Sequence, residues 1–395
     1  MDKVPKLRFK EFNGEWEEKR LGDIFKIFNG YAFSSKSNIN DGIILLKIAN
    51  VGINKMVKNE MSFLPMDFLE LYSKYLLKKG DIVIALTRPL LDKKLKIAEI
   101  DDFFNNSLLN QRVGKILSEQ NKKFIYNLLQ NSKYIKKIED SISGTDPPNL
   151  STETIKDINI IIPKLEEQEK IANFLSSVDK KISIAEEKLN LFNQYKKGIM
   201  QKIFNQELRF KDENGNNYPQ WEEKKLEKIA DCLDNKRKPL NSTEREKIKG
   251  NIPYYGANGI QGYINNFLFD EELVLLAEDG GNFEDFSIKP IAQYICGKSW
   301  VNNHAHILKG KKETLTKFLF YSLVHKDIRN FINGTSRSKL NKSDMLNIII
   351  NLPCIEEQQK IADFLFAIDN KIENISDNLE SLKLFKKSML QKMFV

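Results

Sequence analysis

The sequence predicts an α+β protein built twice over: two globular parts of mixed helix and strand, each leading into one long helix. Three observations carry this reading. First, Glu166-Glu167-Gln168-Glu169-Lys170-Ile171-Ala172-Asn173-Phe174-Leu175 recurs as Glu356-Glu357-Gln358-Gln359-Lys360-Ile361-Ala362-Asp363-Phe364-Leu365, and the match continues without a gap to Phe204 and Phe394, always 190 residues apart. Second, each copy has a single apolar seam, Ile171, Leu175, Val178, Ile182, Ala185, Leu189, Phe192 and Ile361, Leu365, Ile368, Ile372, Ile375, Leu379, Leu382. Steps alternating between four and three residues are the 3.5-residue repeat of a coiled-coil seam. Third, the lead-in segment is doubled too: Leu7-Arg8-Phe9-Lys10 and Trp16-Glu17-Glu18-Lys19 return as Leu208-Arg209-Phe210-Lys211 and Trp221-Glu222-Glu223-Lys224.

Taken in order, residues 1–163 form the first globular domain, 164–204 a long helix, 205–353 the second domain and 354–395 the second long helix. Neither helix contains proline, and each follows one, Pro163 or Pro353, as a helix start should. Thirty-nine helical residues would span about 58 Å, and two such helices can bury their seams on each other. Strands are expected at Ile43–Ile48, Asp81–Leu86, Gln111–Ile116 and Ile158–Ile162, and at Leu273–Ala277, Ile291–Cys296, His304–Leu308 and Ile348–Leu352. Short helices are expected at Lys123–Leu129 and Lys317–Leu323. The stretches 27–81 and 232–270 barely match, so a shared frame carries dissimilar inserts. Joined end to end, the sequence would close into a two-fold cycle, which predicts pseudo-two-fold symmetry and neighbouring termini.

Net charge is +8, yet the two long helices sum to zero: seven lysines against six acids in one, six against seven in the other. The excess therefore lies in the globular parts, which suits a polyanionic partner. Charges interrupt every apolar run, so a membrane span is excluded. Three scattered cysteines, Cys232, Cys296 and Cys354, argue against a disulfide framework or structural zinc. With no signal peptide before Lys3-Val4-Pro5, a soluble cytoplasmic protein is expected.

The pattern Ile162-Pro163…Glu167-Gln168…Ile171-Ala172-Asn173-Phe174-Leu175, repeated from Leu352-Pro353, resembles the specificity (S) subunit of Type I restriction–modification enzymes. The preceding Gly144-Thr145…Leu150 and Gly334-Thr335…Leu340 loops, and Ile252-Pro253-Tyr254-Tyr255-Gly256-Ala257-Asn258-Gly259, are similar to that family as well. The resemblance covers essentially the full length. It implies two target recognition domains, each reading one half of a split sequence in double-stranded DNA, separated by an antiparallel coiled coil that docks two modification (methyltransferase) subunits. Restriction (nuclease/translocase) subunits would complete the complex. S-adenosylmethionine and ATP would belong to those partners, leaving this chain non-catalytic, with no cofactor and no metal of its own. A rigid spacer would then fix the gap between half-sites, since a groove face recurs about every 34 Å.

Candidate DNA contacts follow from residue chemistry. Arg88, in Thr87-Arg88-Pro89 after a strand, could form a bidentate pair with guanine. His304 and His306 alternate onto one strand face, and the aligned segment of the first domain, Asn110-Gln111-Arg112-Val113, puts the polar Gln111 and Arg112 at the same strand. A metal reading of the histidines lacks further ligands, so base-edge or phosphate contact fits better. Glu278-Asp279-Gly280-Gly281-Asn282 has no Walker ending; its glycines permit close approach, and Asn282 could read a base. Ser336, Arg337, Ser338 and Lys339 suit phosphate, as do Lys236 and Arg237, although charge alone equally fits a solvated loop. Lys47, Asn50, Thr145, Tyr254, Tyr255 and Asn258 complete the set. Asp146-Pro147-Pro148-Asn149 resembles the catalytic loop of adenine methyltransferases, but Asn149 cannot stack on a flipped base and no glycine-rich cofactor loop accompanies it. Trp16 and Trp221 read as packing anchors at the domain–helix junctions rather than base-stacking groups. A coiled-coil scaffold with two protein-binding domains, and a self-contained DNA-modifying enzyme, are the competing classes. Salt-sensitive, sequence-dependent DNA binding separates the first of these from a DNA reader.

Overall fold

The computed structural model describes residues 3–142, 147–334 and 338–395. The chain divides into two compact units, one of Met1–Glu186 with Asp377–Val395 and the other of Glu187–Ser376. The long helices run Leu165–Phe204 and Ile355–Lys392, so each unit holds part of both. Two glutamates in the first turn and a lysine in the last turn of each complement the helix dipole. None of the described helices is long and apolar enough to cross a membrane.

In the first unit the central sheet is antiparallel, ordered Lys26–Asn29, Val113–Leu117, Ile82–Ala85, Ile97–Glu99. Ile82–Ala85 is an unbroken apolar run because it is buried on both faces. A second, smaller sheet sets Ile43–Leu46 parallel to Leu108–Leu109 and antiparallel to Phe63–Leu64. Helices Lys122–Leu128 and Ser132–Ile142 pack into the main core with Ile171, Ala172 and Leu175 of the first long helix, Leu390 of the second, and Met393 and Phe394 just beyond its end. The two helix stretches run antiparallel: Ile171 and Leu175 share a core with Leu390 and Met393, while Glu186 pairs with Lys383 at 2.7 Å.

The second unit repeats this frame. Its antiparallel sheet is ordered Ala230–Cys232, Ala305–Gly310, Leu273–Ala277, Ala292–Ile295. Leu273–Ala277 has the bounds expected from sequence and is wholly buried. Strands Gly259–Ile264, Lys249–Gly256, Lys298–Val301 and Phe269–Asp270 form another sheet; the hairpin within it falls in the stretch that has no copy in the first half. Here Met200 and Ile203 pack with Ile361, Ala362 and Leu365, and Lys196 pairs with Asp369, again an antiparallel arrangement. Along the seams Ile182, Leu189, Phe192, Ile372, Ile375 and Leu382 are only half-buried.

The recurring Glu-Gln has a structural cause in each unit. Glu167 accepts two hydrogen bonds from Arg8, at 2.8 and 2.7 Å, and Glu357 accepts two from Arg209, at 3.2 and 2.7 Å. Both carboxylates are buried, so this bidentate clip fixes the lead-in segment onto the helix start. Gln168 donates to the Pro163 carbonyl and accepts from the Asn121 amide; Gln358 does the same with Pro353 and Leu315. The closed-cycle expectation also has its counterpart. The Leu208 amide donates to the Lys202 carbonyl at 3.1 Å within continuous chain, and the Leu7 amide donates to the Lys392 carbonyl at 2.9 Å across the termini.

Candidate nucleic-acid interface

In the first unit several strands end along one rim. Lys47 follows Ile43–Leu46, and Asn110 and Gln111 follow its parallel neighbour Leu108–Leu109; the Asn110 amide donates to the Leu46 carbonyl at 3.2 Å. Arg112 leads into Val113–Leu117, and Arg88 follows Ile82–Ala85. Lys47 is half-buried, whereas Arg88, Gln111 and Arg112 are exposed. The Gln111 amide donates to the Tyr31 carbonyl, which brings Tyr31 to the rim. Pro147, Pro148 and Asn149 lie there too, since Thr87 bridges to Asn149. Thr145 and Asp146 lie outside the described residues.

Sequence reasoning missed an aromatic group on this rim. Tyr31 has ring centroids at 5.0 Å from Phe33, 4.8 Å from Tyr72 and 5.4 Å from Tyr75, and Phe68 stands 4.9 Å from Tyr72. Phe68 and Tyr72 sit one turn apart at a short helix, Phe68–Leu71, and that spacing was the available signal. Burial, then the hydrogen bond with Tyr31, raises the Tyr72 phenol pKa.

The second unit builds the same rim with other side chains. The Asn302 amide donates to the Tyr255 carbonyl, as Asn110 does to Leu46. Beyond it lie exposed Asn258, which donates to the Gly280 carbonyl at 2.8 Å, and half-buried Asn282, which donates to the Pro290 carbonyl at 3.0 Å. His304 is partly exposed and faces Asp279, Nδ1 to Oδ1 2.7 Å. Lys236 and Lys339 are exposed, and Ser338 and Tyr255 are half-buried. Ser336 and Arg337 lie outside the described residues.

Four expected contacts are corrected by burial. Asn50 is 0% exposed; its amide donates to the Val57 and Asn59 carbonyls while its oxygen accepts from the Lys47 amide, so it shapes the loop from within. Tyr254 is 1% exposed and bonds the Leu240 backbone through its hydroxyl. His306 is 1% exposed, with Nδ1 2.6 Å from Asp234 and Nε2 2.9 Å from the Leu340 carbonyl. Both ring nitrogens thus face acceptors. His304 and His306 therefore do not share a site. Arg237 is spent internally: it donates to Glu278 at 2.5 Å and to the Ala305 carbonyl at 3.0 Å, and it lies 3.4 Å from Asp234. Burial raises the Asp234 carboxyl pKa, but the His306 hydrogen bond and charge, the Ile307 amide and Arg237 outweigh it and hold it below the usual range. Glu278 is lowered in the same way: burial raises it, and Arg237, His306 and Lys339 overcome that. Asp234, Glu278 and His306 bring ligand atoms within 4.8 Å of one another, a set that could hold a metal. Arg237 and Lys339, the latter 3.2 Å from Glu278, already supply the positive charge there.

The pair of matching rims agrees with comparisons to known proteins. The family model described as "Type I restriction modification DNA specificity domain" matches twice, over residues 13–194 and 218–384. The chain belongs to this family. It is 35% identical over 212 residues to the Type I restriction enzyme MjaVIII specificity subunit of Methanocaldococcus jannaschii, a match covering 53% of this chain and 50% of that protein. A match to the putative specificity subunit S.HindORF215P of Haemophilus influenzae, 39% identical over 146 residues, covers 37% of this chain and 36% of that one. The chain thus spans half or less of these two relatives. The putative MjaX specificity subunit of M. jannaschii matches along 98% of this chain and 94% of its own length at 24% identity. Among solved structures, the Type I restriction–modification S subunit from M. genitalium shares the fold, with a TM-score of 0.70, 20% identity and 99% of each chain covered.

Proposed function

We propose that this chain is the specificity subunit of a Type I restriction–modification complex, recognising a bipartite sequence in double-stranded DNA. The observation that carries this is the twice-matched specificity family over two units whose rims share a hydrogen-bond frame and differ in side chains. Residues 1–163 and 205–353 are the two target recognition domains, and 164–204 and 354–395 the helices that hold them. Of the expected contacts, Lys47, Arg88, Gln111, Arg112, Lys236, Tyr255, Asn258, Asn282, His304, Ser338 and Lys339 remain as DNA-facing groups, and Thr145, Ser336 and Arg337 are kept as contacts on residue chemistry alone. The chain performs no chemistry itself. Two modification subunits bring S-adenosylmethionine, restriction subunits bring ATP, and the assembly works in the cytoplasm.

The test is co-expression with the cognate modification subunit followed by mapping of methylated adenines. A two-part motif with a fixed spacer is expected, and replacing residues 205–353 by another such domain should change one half only. An undivided motif, or a swap that alters both halves, would overturn the reading.

A further inference from the structure

Arg88 adopts φ +48°, the left-handed region that side chains other than glycine's occupy at a cost. Its turn is pinned on every side. The Arg88 amide donates to the Pro148 carbonyl at 2.8 Å, Leu150 to Leu86 at 2.7 Å, and Leu86 to Arg112 at 2.9 Å. The second unit builds the corresponding turn with two of these bonds, Leu340 to Glu278 at 2.7 Å and Glu278 to His304 at 2.9 Å. There the corresponding residue is Gly280, with φ +63°. Glycine is thus the unstrained solution, and the protein uses it in one unit only. Packing does not require an arginine in the other: the side chain is exposed and makes no ion pair or hydrogen bond with any described residue. Strain retained at an exposed arginine with no partner among the described residues points to a use for the side chain.

We infer that Arg88 reads a guanine in the half-site bound by the first unit, and that the strained turn exists to aim it. This rests on the proposed DNA-reading function. A phosphate contact needs charge more than aim, and a lysine on an unstrained surface supplies it. A base contact needs a guanidinium held in fixed register, its fork matched to the O6 and N7 acceptors of guanine in the major groove. Everything that fixes the Arg88 backbone serves the second requirement. After Arg88 the chain turns through a tight hairpin, Leu90–Leu91 paired with Lys94–Leu95, whose exposed Lys93 and Lys94 are placed for neighbouring phosphates.

The experiment selects bound sequences from a random-sequence duplex DNA library with the full chain and its modification partner, comparing wild type, Arg88→Gly and Arg88→Lys. Wild type should return a two-part motif; failure to do so sinks the DNA-reading function itself, and this inference with it. Given that motif, both variants should lose the preference for one G·C pair in a single half-site by roughly five- to a hundredfold, leaving the other half unchanged. Arg88→Gly should also melt at higher temperature, because the turn is relieved. An unaltered motif, or uniform weakening on all sequences with a shallower salt dependence in Arg88→Gly, would overturn the assignment; the latter is the signature of a phosphate contact.

Discussion

Leu86 and Glu278 hold the same place in the two units, donating their amides to Arg112 and His304 and accepting from Leu150 and Leu340. What surrounds them differs. In the first unit the neighbouring position is Gly114, paired to Ile84 on one side and Asn29 on the other, and a Cβ there would meet Leu86 Cδ2 at 3.0 Å. In the second it is His306, bonded to Asp234 and enclosed with Glu278 and Arg237. One frame of backbone hydrogen bonds therefore closes over either an apolar plug or an ion cluster. The consequence is for function. Arg237 is neutralised inside the second unit, and Lys339, though exposed, pairs with Glu278, while Arg88 and Arg112 face outward from the first. Counting basic residues along the chain overstates the positive charge that the second rim leaves unpaired.

The sharpest way to break this comparison is to remove one carboxylate. Asp234→Ala strands a buried His306 and Arg237, and should cost about 3–5 kcal/mol, the usual penalty for breaking a buried pair from one side. Asn29→Ala at the corresponding, exposed place in the first unit should stay within about 0.5 kcal/mol. Urea denaturation of both variants tests this, and similar losses would refute the picture of an ion cluster at this place in the second unit and none at the matching place in the first. Acid probes the same contrast more gently. Asp234 and Glu278 have folded-state pKa values below the usual carboxylate range. Their stabilisation is fully present above the unfolded values near pH 4, and is lost as pH falls through the lowered folded ones. The second unit should therefore loosen first on acidification. Hydrogen exchange followed from pH 6 to pH 3 should show Ala305–Gly310 losing protection before Val113–Leu117, and the reverse order would count against it.

The long helices were legible because a 3.5-residue period was sustained over about six turns and then repeated at a constant offset. Core strands such as Leu273–Ala277 were legible because a strand covered on both faces is a continuous apolar run. The rim was legible only in part. Arg88, Gln111 and Arg112 face outward as expected, but Asn50, Tyr254, Arg237 and His306 turn inward. Residue type reveals hydrogen-bonding capacity and not direction. The acceptor for His306 Nε2 is Leu340, 34 residues away, and its Nδ1 partner Asp234 is 72 residues away. Strand pairing sets such meetings, and local pattern does not contain it. Tyr31 and Tyr72 escaped notice for the same reason, since their rings meet between distant ends of one stretch, 27–81, that barely matches the other half.

The smallest expected difference lies where the lead-in segments meet the long helices. Trp221 Nε1 donates to Glu357 at 2.9 Å, adding a third donor group to that buried carboxylate beside two from Arg209. Trp16 fills the corresponding place before Glu167, yet its Nε1 is buried and finds no acceptor among the described residues. Trp221→Phe removes a hydrogen bond to a charged group and should cost about 1.5–3 kcal/mol. Trp16→Phe loses ring contact but also removes an N–H with no acceptor, so about 1 kcal/mol is expected. Thermal melts of the two variants should rank in that order. Equal costs would mean that both indoles act by packing alone, and that the Glu357 clip holds as well with two donors as with three.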